Sequence, residues 1–311
     1  MEKVRAIVRR FGIGLSLILL GLVLSLLSDR FLTVTNLVNV LRQSTINGII
    51  AVGMTLVILT RGIDLSVGSV LALTAVVTAD LLQRGQPVMV AVLAGLGLGA
   101  FLGLINGLLI TLLNVPPFIA TLGMMVFARG AALTYTQGKP ITGLPEAFRA
   151  LGTGIVAAVP VPIIVAAVVF GLGYFLLNRT THGVTIYAIG GNDTAARYTG
   201  LPVSRYVTLV YIASGLLAAL AGMILTARLN SAQPVAGQGY EFDAIAAVVV
   251  GGTSFAGGEG TLGGTLLGAL IIEVLKNGLN LLNVSSFYQD VVKGVVIAVA
   301  LLVHNLLGRQ T

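Results

Sequence analysis

Long runs of apolar residues alternate with short polar or charged segments along the whole chain. A membrane-spanning helix needs about 20 predominantly apolar residues, and the runs between charges, prolines and Gly-rich clusters give ten candidate spans. The predicted spans are 11–28, 44–60, 65–82, 88–113, 117–135, 155–177, 207–227, 243–257, 261–283 and 288–307. Regions 44–83 and 243–283 each fit one long helix or two short ones. The pattern predicts an all-α, polytopic membrane protein with about ten transmembrane helices.

Three short segments of the first half recur in the second half at an offset of 169 to 171 residues. The matches are GMTL at 53–56 with GMIL at 222–225, NGL at 106–108 and 277–279, and LNVPPF at 113–118 with LNVSSF at 282–287. The offset pairs spans two to five with spans seven to ten, and partners five spans apart run in opposite directions. The sequence therefore predicts an inverted repeat, a common feature of transporters.

Composition supports a membrane protein that forms a single transmembrane domain over residues 1–311. The chain is 56% hydrophobic and 9% charged, whereas soluble domains average roughly 45–50% and 25%. It contains no Cys and two His, which excludes disulfides, thiol chemistry and a multi-histidine metal site. Its net charge of +7 is scattered between apolar runs, which argues against nucleic acid as a partner.

The distribution of basic residues predicts that both termini are cytoplasmic. With the N-terminus inside, nine basic residues are cytoplasmic: Lys3, Arg5, Arg9, Arg10, Arg61, Arg179, Arg197, Arg205 and Arg309. Six lie in outside loops: Arg30, Arg42, Arg84, Lys139, Arg149 and Arg228. Cytoplasmic loops carry an excess of Lys and Arg in membrane proteins, and the even number of spans puts both ends on one side.

Residues 178–206 form the longest predicted cytoplasmic loop. Within it, Asn192, Asp193 and Thr194 are typical of a helix N-cap, and Gly200 and Pro202 are stop signals. We expect a short helix on the cytoplasmic face.

Glycine spacing and acidic residues suggest packing more than chemistry. Gly99, Gly103 and Gly107 form a stripe on the fourth span that allows close helix approach. Glu273 and Lys276 are three residues apart on the ninth span and suggest an ion pair within one helix. Asp64 is expected near a span end beside Arg61. The remaining acidic residues near span ends, which water or a nearby cation can satisfy, are Asp243, Glu259 and Asp290.

Few uncharged polar residues lie within the spans. Asn47 and Thr121 fit either interhelical hydrogen bonds or a lining for a hydroxylated solute. Phe118, at the start of the fifth span, is a candidate gate residue or a hydrophobic anchor. Because a sugar needs many hydrogen-bond partners once dehydrated, we expect a translocation path through Asn47, Phe118 and Thr121 without a high-affinity site.

Four segments resemble those of one protein family. GIDLSVGS at 62–69, PPFIATLG at 116–123 and GYEFDAIAAVVVGG at 239–252 resemble motifs of the membrane permeases of bacterial ABC importers for ribose, xylose, galactose and related simple sugars. TAARYTG at 194–200 is similar to the E-A-A-x-x-x-G loop of such permeases, with Thr194 in place of Glu. The resemblance implies an ATPase-coupling helix made of Asn192, Asp193, Thr194, Ala195, Ala196, Arg197, Tyr198 and Gly200.

The resemblance implies partners that this chain does not contain. They are a second permease copy or close paralogue, an ABC ATPase subunit and an extracytoplasmic sugar-binding protein, assembled in the lipid of the bacterial inner membrane. The chain lacks the phosphate-binding G-x-x-x-x-G-K-[ST] pattern, so it is expected to be no enzyme and to hold no cofactor. ATP and magnesium then bind the partner ATPase. Four outside basic residues are candidates for docking the binding protein or are simply solvated: Arg84, Lys139, Arg149 and Arg228.

The predicted function is therefore the permease subunit of an ATP-driven importer for a ribose-type monosaccharide. The alternatives are an ABC permease for nucleosides or another small polar solute, and a proton-coupled secondary transporter. The latter needs a deep, unpaired carboxylate, which Glu273 supplies poorly because of Lys276.

Overall fold

A computed structural model describes residues 2–308, with side chains for 12–296 and 298. Arg309 lies outside the described residues, and so do the side chains of Lys3, Arg5, Arg9, Arg10 and His304.

The described chain forms thirteen helices and four two-residue strands. The helices are α1 (Glu2–Leu27), α2 (Val34–Leu59), α3 (Val67–Gln83), α4 (Val88–Thr111), α5 (Pro117–Thr136), α6 (Glu146–Thr153), α7 (Val161–Arg179), α8 (Thr181–Gly191), α9 (Asp193–Tyr198), α10 (Val203–Leu229), α11 (Tyr240–Val250), α12 (Leu262–Leu281) and α13 (Ser286–Gly308). The strands are β1 (Ile141–Thr142), β2 (Ile155–Val156), β3 (Val159–Pro160) and β4 (Ser231–Ala232). β1 pairs antiparallel with β4, and β2 with β3.

The all-α, polytopic class is confirmed, but the prediction of about ten transmembrane helices is wrong. In the described residues, six helices are long and apolar enough to cross a membrane: α2, α4, α5, α7, α10 and α12. Helices occupy all ten predicted segments, yet some are short. The 11 residues of α11 extend about 16 Å, against about 30 Å for the hydrocarbon core. Regions 44–83 and 243–283 each contain two helices, with breaks at 60–66 and 251–261.

The order of helices is similar in the two halves of the chain. α2 and α10 begin at Val34 and Val203, 169 residues apart, and α5 and α13 begin at Pro117 and Ser286, also 169 residues apart. Left-handed backbone conformations recur at the same spacing, at Asn114 (φ 52°) and Asn283 (φ 56°). The two halves therefore share helix starts and backbone breaks, whatever the number of helices that span the membrane.

Helix α10 lies at the centre of the molecule and packs against α4, α2 and α3. Its N-terminal end adjoins α9, because Val203 and Ala196 are buried in one apolar cluster. Its C-terminal end adjoins the β1–β4 pair, where Ile141 lies opposite Ala232. We name these opposite ends of the molecule the α9 end and the hairpin end.

Glycines allow α4 and α10 to cross in direct backbone contact. A Cβ atom on Gly103 would lie 2.2 Å from the carbonyl oxygen of Tyr211, and one on Gly99 would lie 2.5 Å from that of Gly215. No side chain fits at such distances. The predicted packing role of the glycine stripe is confirmed.

Replacing Gly103 with Val should separate α4 from α10 and destabilise the fold. Overpacking costs about 1–3 kcal/mol, so the midpoint of thermal unfolding in detergent should fall by several degrees. Gly97→Val on the same helix is the control, since a Cβ atom there has no neighbour within 4 Å. Equal losses of stability in the two variants would contradict this account of the crossing.

Candidate functional site

The short helix α9 starts and ends through local backbone signals. The Oδ1 atom of Asn192 accepts a hydrogen bond from the Ala195 N–H at 3.0 Å, and this cap separates α9 from α8. After α9, Gly200 has a φ of +81°, which favours glycine. The predicted coupling residues thus lie together on one short helix and its two flanking turns.

Helix α9 buries one side chain and exposes most of the others. Ala196 is buried against Ile189 and Val203, whereas Tyr198 is 88% exposed. The other exposed side chains of α9 are those of Thr194, Ala195 and Arg197. An exposed face on an anchored helix is suited to binding a partner protein.

Arg61 ties α9 to the end of α2. Its Nε–H group donates to the carbonyl oxygens of Gly190 (2.7 Å) and Ala256 (2.8 Å), and Nη2 donates to that of Gly191 (2.6 Å). Its Nη1 atom lies 3.8 Å from Oδ1 of Asp193. The expected pairing of Arg61 with Asp64 is therefore wrong, since the guanidinium turns toward α8 and α9.

Asp64 is buried rather than placed at a solvated helix end. It is 1% exposed, and its carboxylate accepts hydrogen bonds from the N–H and hydroxyl of Ser66 (2.9 and 2.6 Å) and the hydroxyl of Ser214 (2.7 Å). Asn106 in turn donates to the Ser66 hydroxyl at 3.0 Å. These bonds fasten the break between α2 and α3 to α10 and α4.

A second arginine holds the segment before α11. Nη1 of Arg129, on α5, donates to the carbonyl oxygens of Pro234 (2.7 Å) and Ala236 (2.8 Å). This segment also crosses the start of α3 closely, because a Cβ on Gly68 would lie 2.1 Å from the carbonyl oxygen of Gly237. Arg129 thus supplies hydrogen bonds to carbonyl oxygens of a segment that lies outside any helix.

A polar cavity of about 260 Å³ lies between α2, α10, α11, α12 and α13. Three acidic and three basic side chains line it: Asp243, Glu273, Asp290, Arg228, Lys276 and Lys293. Six uncharged polar side chains also line it: Gln43, Asn47, Gln238, Asn280, Ser286 and Gln289. Ile46 and Tyr240 complete the wall. The expectation that these helices offer few polar groups is wrong at this place.

Asp243 is the centre of the charge cluster in this polar cavity. Its side chain is 2% exposed and pairs with Lys276 and, at 2.9 Å, with Lys293. Lys293 also lies 3.1 Å from Asp290. The predicted Glu273–Lys276 pair is therefore wrong, because Lys276 turns to α11. Glu273 instead accepts a hydrogen bond from Nδ2 of Asn47 at 3.2 Å.

The three predicted path residues lie in two places. Asn47 lines the polar cavity. Thr121 is buried and donates to the carbonyl oxygen of Ile63 at 3.1 Å, while Phe118, one turn earlier on α5, is 52% exposed. Phe118 and Thr121 lie near the α9 end, since Pro117 shares a small cavity with Arg61. The structure therefore does not bring Asn47 together with the other two.

The four predicted docking residues lie at the hairpin end but differ in exposure. Lys139 is exposed, and Arg84 is 68% exposed and lies 2.8 Å from Asp80. The hydrogen bond with Asp80 raises the pKa of the Arg84 guanidinium. Arg149 is half-buried. Arg228 is half-buried too and lines the polar cavity, so it faces inward.

No group of three or more His, Cys, Asp or Glu residues in the described part of the chain is placed to hold a metal ion. The features that the geometry defines are thus an exposed anchored helix at one end, basic residues at the other and a polar cavity between helices. Together with the six apolar helices of the described residues, these features define a polytopic membrane protein.

Comparisons with known proteins agree with this class. Residues 36–301 match a family described as the permease component of the branched-chain amino acid transport system. The chain is 51% identical to the ribose import permease protein RbsC of Escherichia coli (strain K12), over 94% of this chain and 92% of the relative. No solved structure matches the chain significantly.

Two further relatives come from the same organism. The probable ABC transporter permease protein YphD is 44% identical over 98% of this chain and 92% of the relative. The D-allose transport system permease protein AlsC is 40% identical over 92% and 88%. The chain belongs to this family of transport-system permeases, and it is a transport subunit rather than an enzyme.

Replacing Asp243 with Asn should leave two partly buried lysines without their shared carboxylate. Breaking a buried ion pair costs about 3–5 kcal/mol, so the thermal midpoint in detergent should fall markedly. Asp290→Asn is the matched control, because its carboxylate is 75% exposed and exposed pairs contribute about 0–1 kcal/mol. A stable Asp243→Asn protein would show that Asp243 does not hold the cluster together.

Proposed function

We propose that this chain is the permease subunit of an ATP-binding cassette importer that carries a ribose-type monosaccharide into the cytoplasm. The observation that carries the proposal is 51% identity to a ribose import permease across nearly the whole chain. Two further relatives are named for an ABC transporter and for D-allose transport. These names favour a monosaccharide over a nucleoside and an ATP-driven over a proton-coupled mechanism.

In this proposal the α9 end faces the cytoplasm of a bacterial cell, and the protein lies in the inner membrane with both termini cytoplasmic. The support is the excess of basic residues on the predicted inner side. Arg61, Arg179, Arg197 and Arg205 all lie on or beside α8, α9 and the start of α10. The hairpin end then faces outward.

The exposed face of α9 would bind the ATPase subunit, which carries ATP and magnesium, while this chain holds no cofactor. A displaced α9 would act on α2 through the ion pair of Asp193 with Arg61 at 3.8 Å. It would act on the 251–261 segment as well, because Arg61 also donates to the carbonyl oxygen of Ala256. Tyr187 adds a link from α8, since its hydroxyl donates to the carbonyl oxygen of Gly260 at 2.8 Å. Burial raises the pKa of this phenol further above its usual value.

At the hairpin end, Arg84, Lys139 and Arg149 would dock an acidic rim of the solute-binding protein, where opposite charges steer encounter. Arg228 contributes to the polar cavity instead. A second copy of the chain, or a close paralogue, would complete the permease within the lipid bilayer. Phe118 and Thr121 stay candidates for the solute path at the α9 end.

The function is tested by reconstituting the permease with its ATPase and binding protein in liposomes and measuring ATP-dependent uptake of labelled ribose. We expect uptake that unlabelled ribose competes away. Uptake driven by a proton gradient without ATP would overturn the proposal.

In the same assay, Ala195→Arg should abolish uptake and stimulated ATP hydrolysis, because a long cation replaces a methyl group on the exposed face of α9. Membrane insertion and thermal stability should stay unchanged, since Ala195 is exposed. Ala147→Arg, at an exposed helical alanine on α6, is the matched control for membrane insertion, thermal stability and stimulated ATP hydrolysis. Normal hydrolysis and uptake with Ala195→Arg would remove α9 from the coupling interface.

Reversing the charges of Arg84, Lys139 and Arg149 to Glu should weaken binding-protein affinity several-fold and flatten its salt dependence. Surface plasmon resonance at several salt concentrations measures both quantities. Reversing Arg179 and Arg205, which are exposed at the α9 end, should change neither. An unchanged salt slope in the triple variant would refute the docking role.

A further inference from the structure

The polar cavity contains buried groups whose hydrogen-bonding capacity is unused. Asn47 is 6% exposed and donates to Glu273, but its Oδ1 atom has no partner in the described structure. Nη1 of Arg228 is buried and also has no partner there. Buried polar atoms are nearly always hydrogen-bonded. Both residues line the cavity, so a polar molecule bound there would offer the partners that these two groups lack.

The charges around this cavity indicate that the molecule is neutral. Three acidic side chains face three basic ones, so the formal charges cancel and neither an anion nor a cation is favoured. Hydroxyl groups each donate one hydrogen bond and accept others, and they can pair with carboxylates, amides and ammonium groups alike. A neutral polyhydroxylated molecule matches this mixture of donors and acceptors.

The size and shape of the cavity fit a small sugar. Small-molecule pockets typically measure roughly 300–1,000 Å³, and this cavity of about 260 Å³ suits a ligand at the lower end of that range. Tyr240 and Ile46 supply an apolar wall, against which the C–H face of a sugar ring can pack. Asn47 and Asp243 are buried at its floor, whereas Gln238 and Ser286 are exposed at its mouth.

We propose that this cavity is a monosaccharide-binding site within a single copy of the chain, which receives the sugar at the hairpin end before translocation. The inference rests on the proposed function and adds the site at which the solute first enters the membrane domain. Binding is weak, because most of the charged side chains are already paired with one another. Weak binding allows the sugar to leave toward the path.

The absence of cysteine from the sequence allows a direct test. Ser286→Cys places a single thiol at the mouth of the cavity, and Ser285→Cys, one residue earlier and also exposed, places it outside. The rate of maleimide modification is measured for the purified permease with increasing ribose, and with sucrose at equal osmolality. We expect ribose, at millimolar concentrations, to slow modification of Ser286→Cys several-fold and saturably. Sucrose should have no effect, and neither sugar should affect Ser285→Cys.

Two further variants in the Ser286→Cys protein test the lining. Asn47→Leu removes the unpaired acceptor at the floor and should raise the ribose concentration for half-protection about tenfold. Gln43→Leu also changes the cavity lining, and it breaks no hydrogen bond in the described structure. It therefore tests the lining even if the Asn47→Leu protein does not fold. We expect Gln43→Leu to weaken the protection of Ser286→Cys by ribose several-fold.

The outcomes separate this inference from the proposed function. Ribose uptake by the complete importer without protection of Ser286→Cys would overturn the cavity assignment alone. Equal protection of Ser285→Cys, or full protection in both leucine variants, would also overturn it. Failure of the wild-type complex to import ribose would overturn the proposed function instead.

Discussion

Polar groups freed at helix breaks have no water to bind inside a bilayer, so the protein itself must satisfy them. The chain breaks between α2 and α3, before α11 and between α11 and α12. Arg129 donates to carbonyl oxygens before α11, Arg61 to carbonyl oxygens of α8 and of the 251–261 segment, and Asp64 accepts the Ser66 N–H. Arg61, Asp64 and Arg129 therefore stabilise the backbone at helix breaks.

The same constraint explains why small residues are concentrated around α10. Helices in lipid gain little from the hydrophobic effect between them, so close van der Waals contact has to hold them together. Gly99, Gly103 and Gly215 bring the backbones of α4 and α10 into direct contact. Because α10 is packed so closely, it also positions the segments that are hydrogen-bonded to it. One of these is the break between α2 and α3, where Asp64 accepts a hydrogen bond from the hydroxyl of Ser214 on α10.

The positions of the helices could be predicted from the sequence, whereas the pairing of charges could not. Apolar runs and their polar boundaries are local signals, and helices occupy all ten predicted segments. The predicted number of spans is wrong because an apolar sequence does not show whether a helix contacts lipid. Short helices such as α11 are apolar because they are buried within the protein. The spacing of three residues predicts a pair of Lys276 with Glu273, but Lys276 pairs with Asp243, 33 residues away. Only the packing of α11 against α12 decides between them.

Helix α2 connects the two functional regions. Asn47 lies at the floor of the polar cavity, and Arg61 follows the last turn of the same helix at the α9 end. The 12 steps from Asn47 to Leu59, the last residue of α2, correspond to about 18 Å along the helix axis. Gly190 allows α8 to approach this end of α2 closely, because a Cβ atom there would lie 1.8 Å from the carbonyl oxygen of Leu59. The end of α2 is thus in direct backbone contact with α8, and the Arg61–Asp193 pair adds a link to α9, so both helices of the α9 end are joined to the helix that carries Asn47.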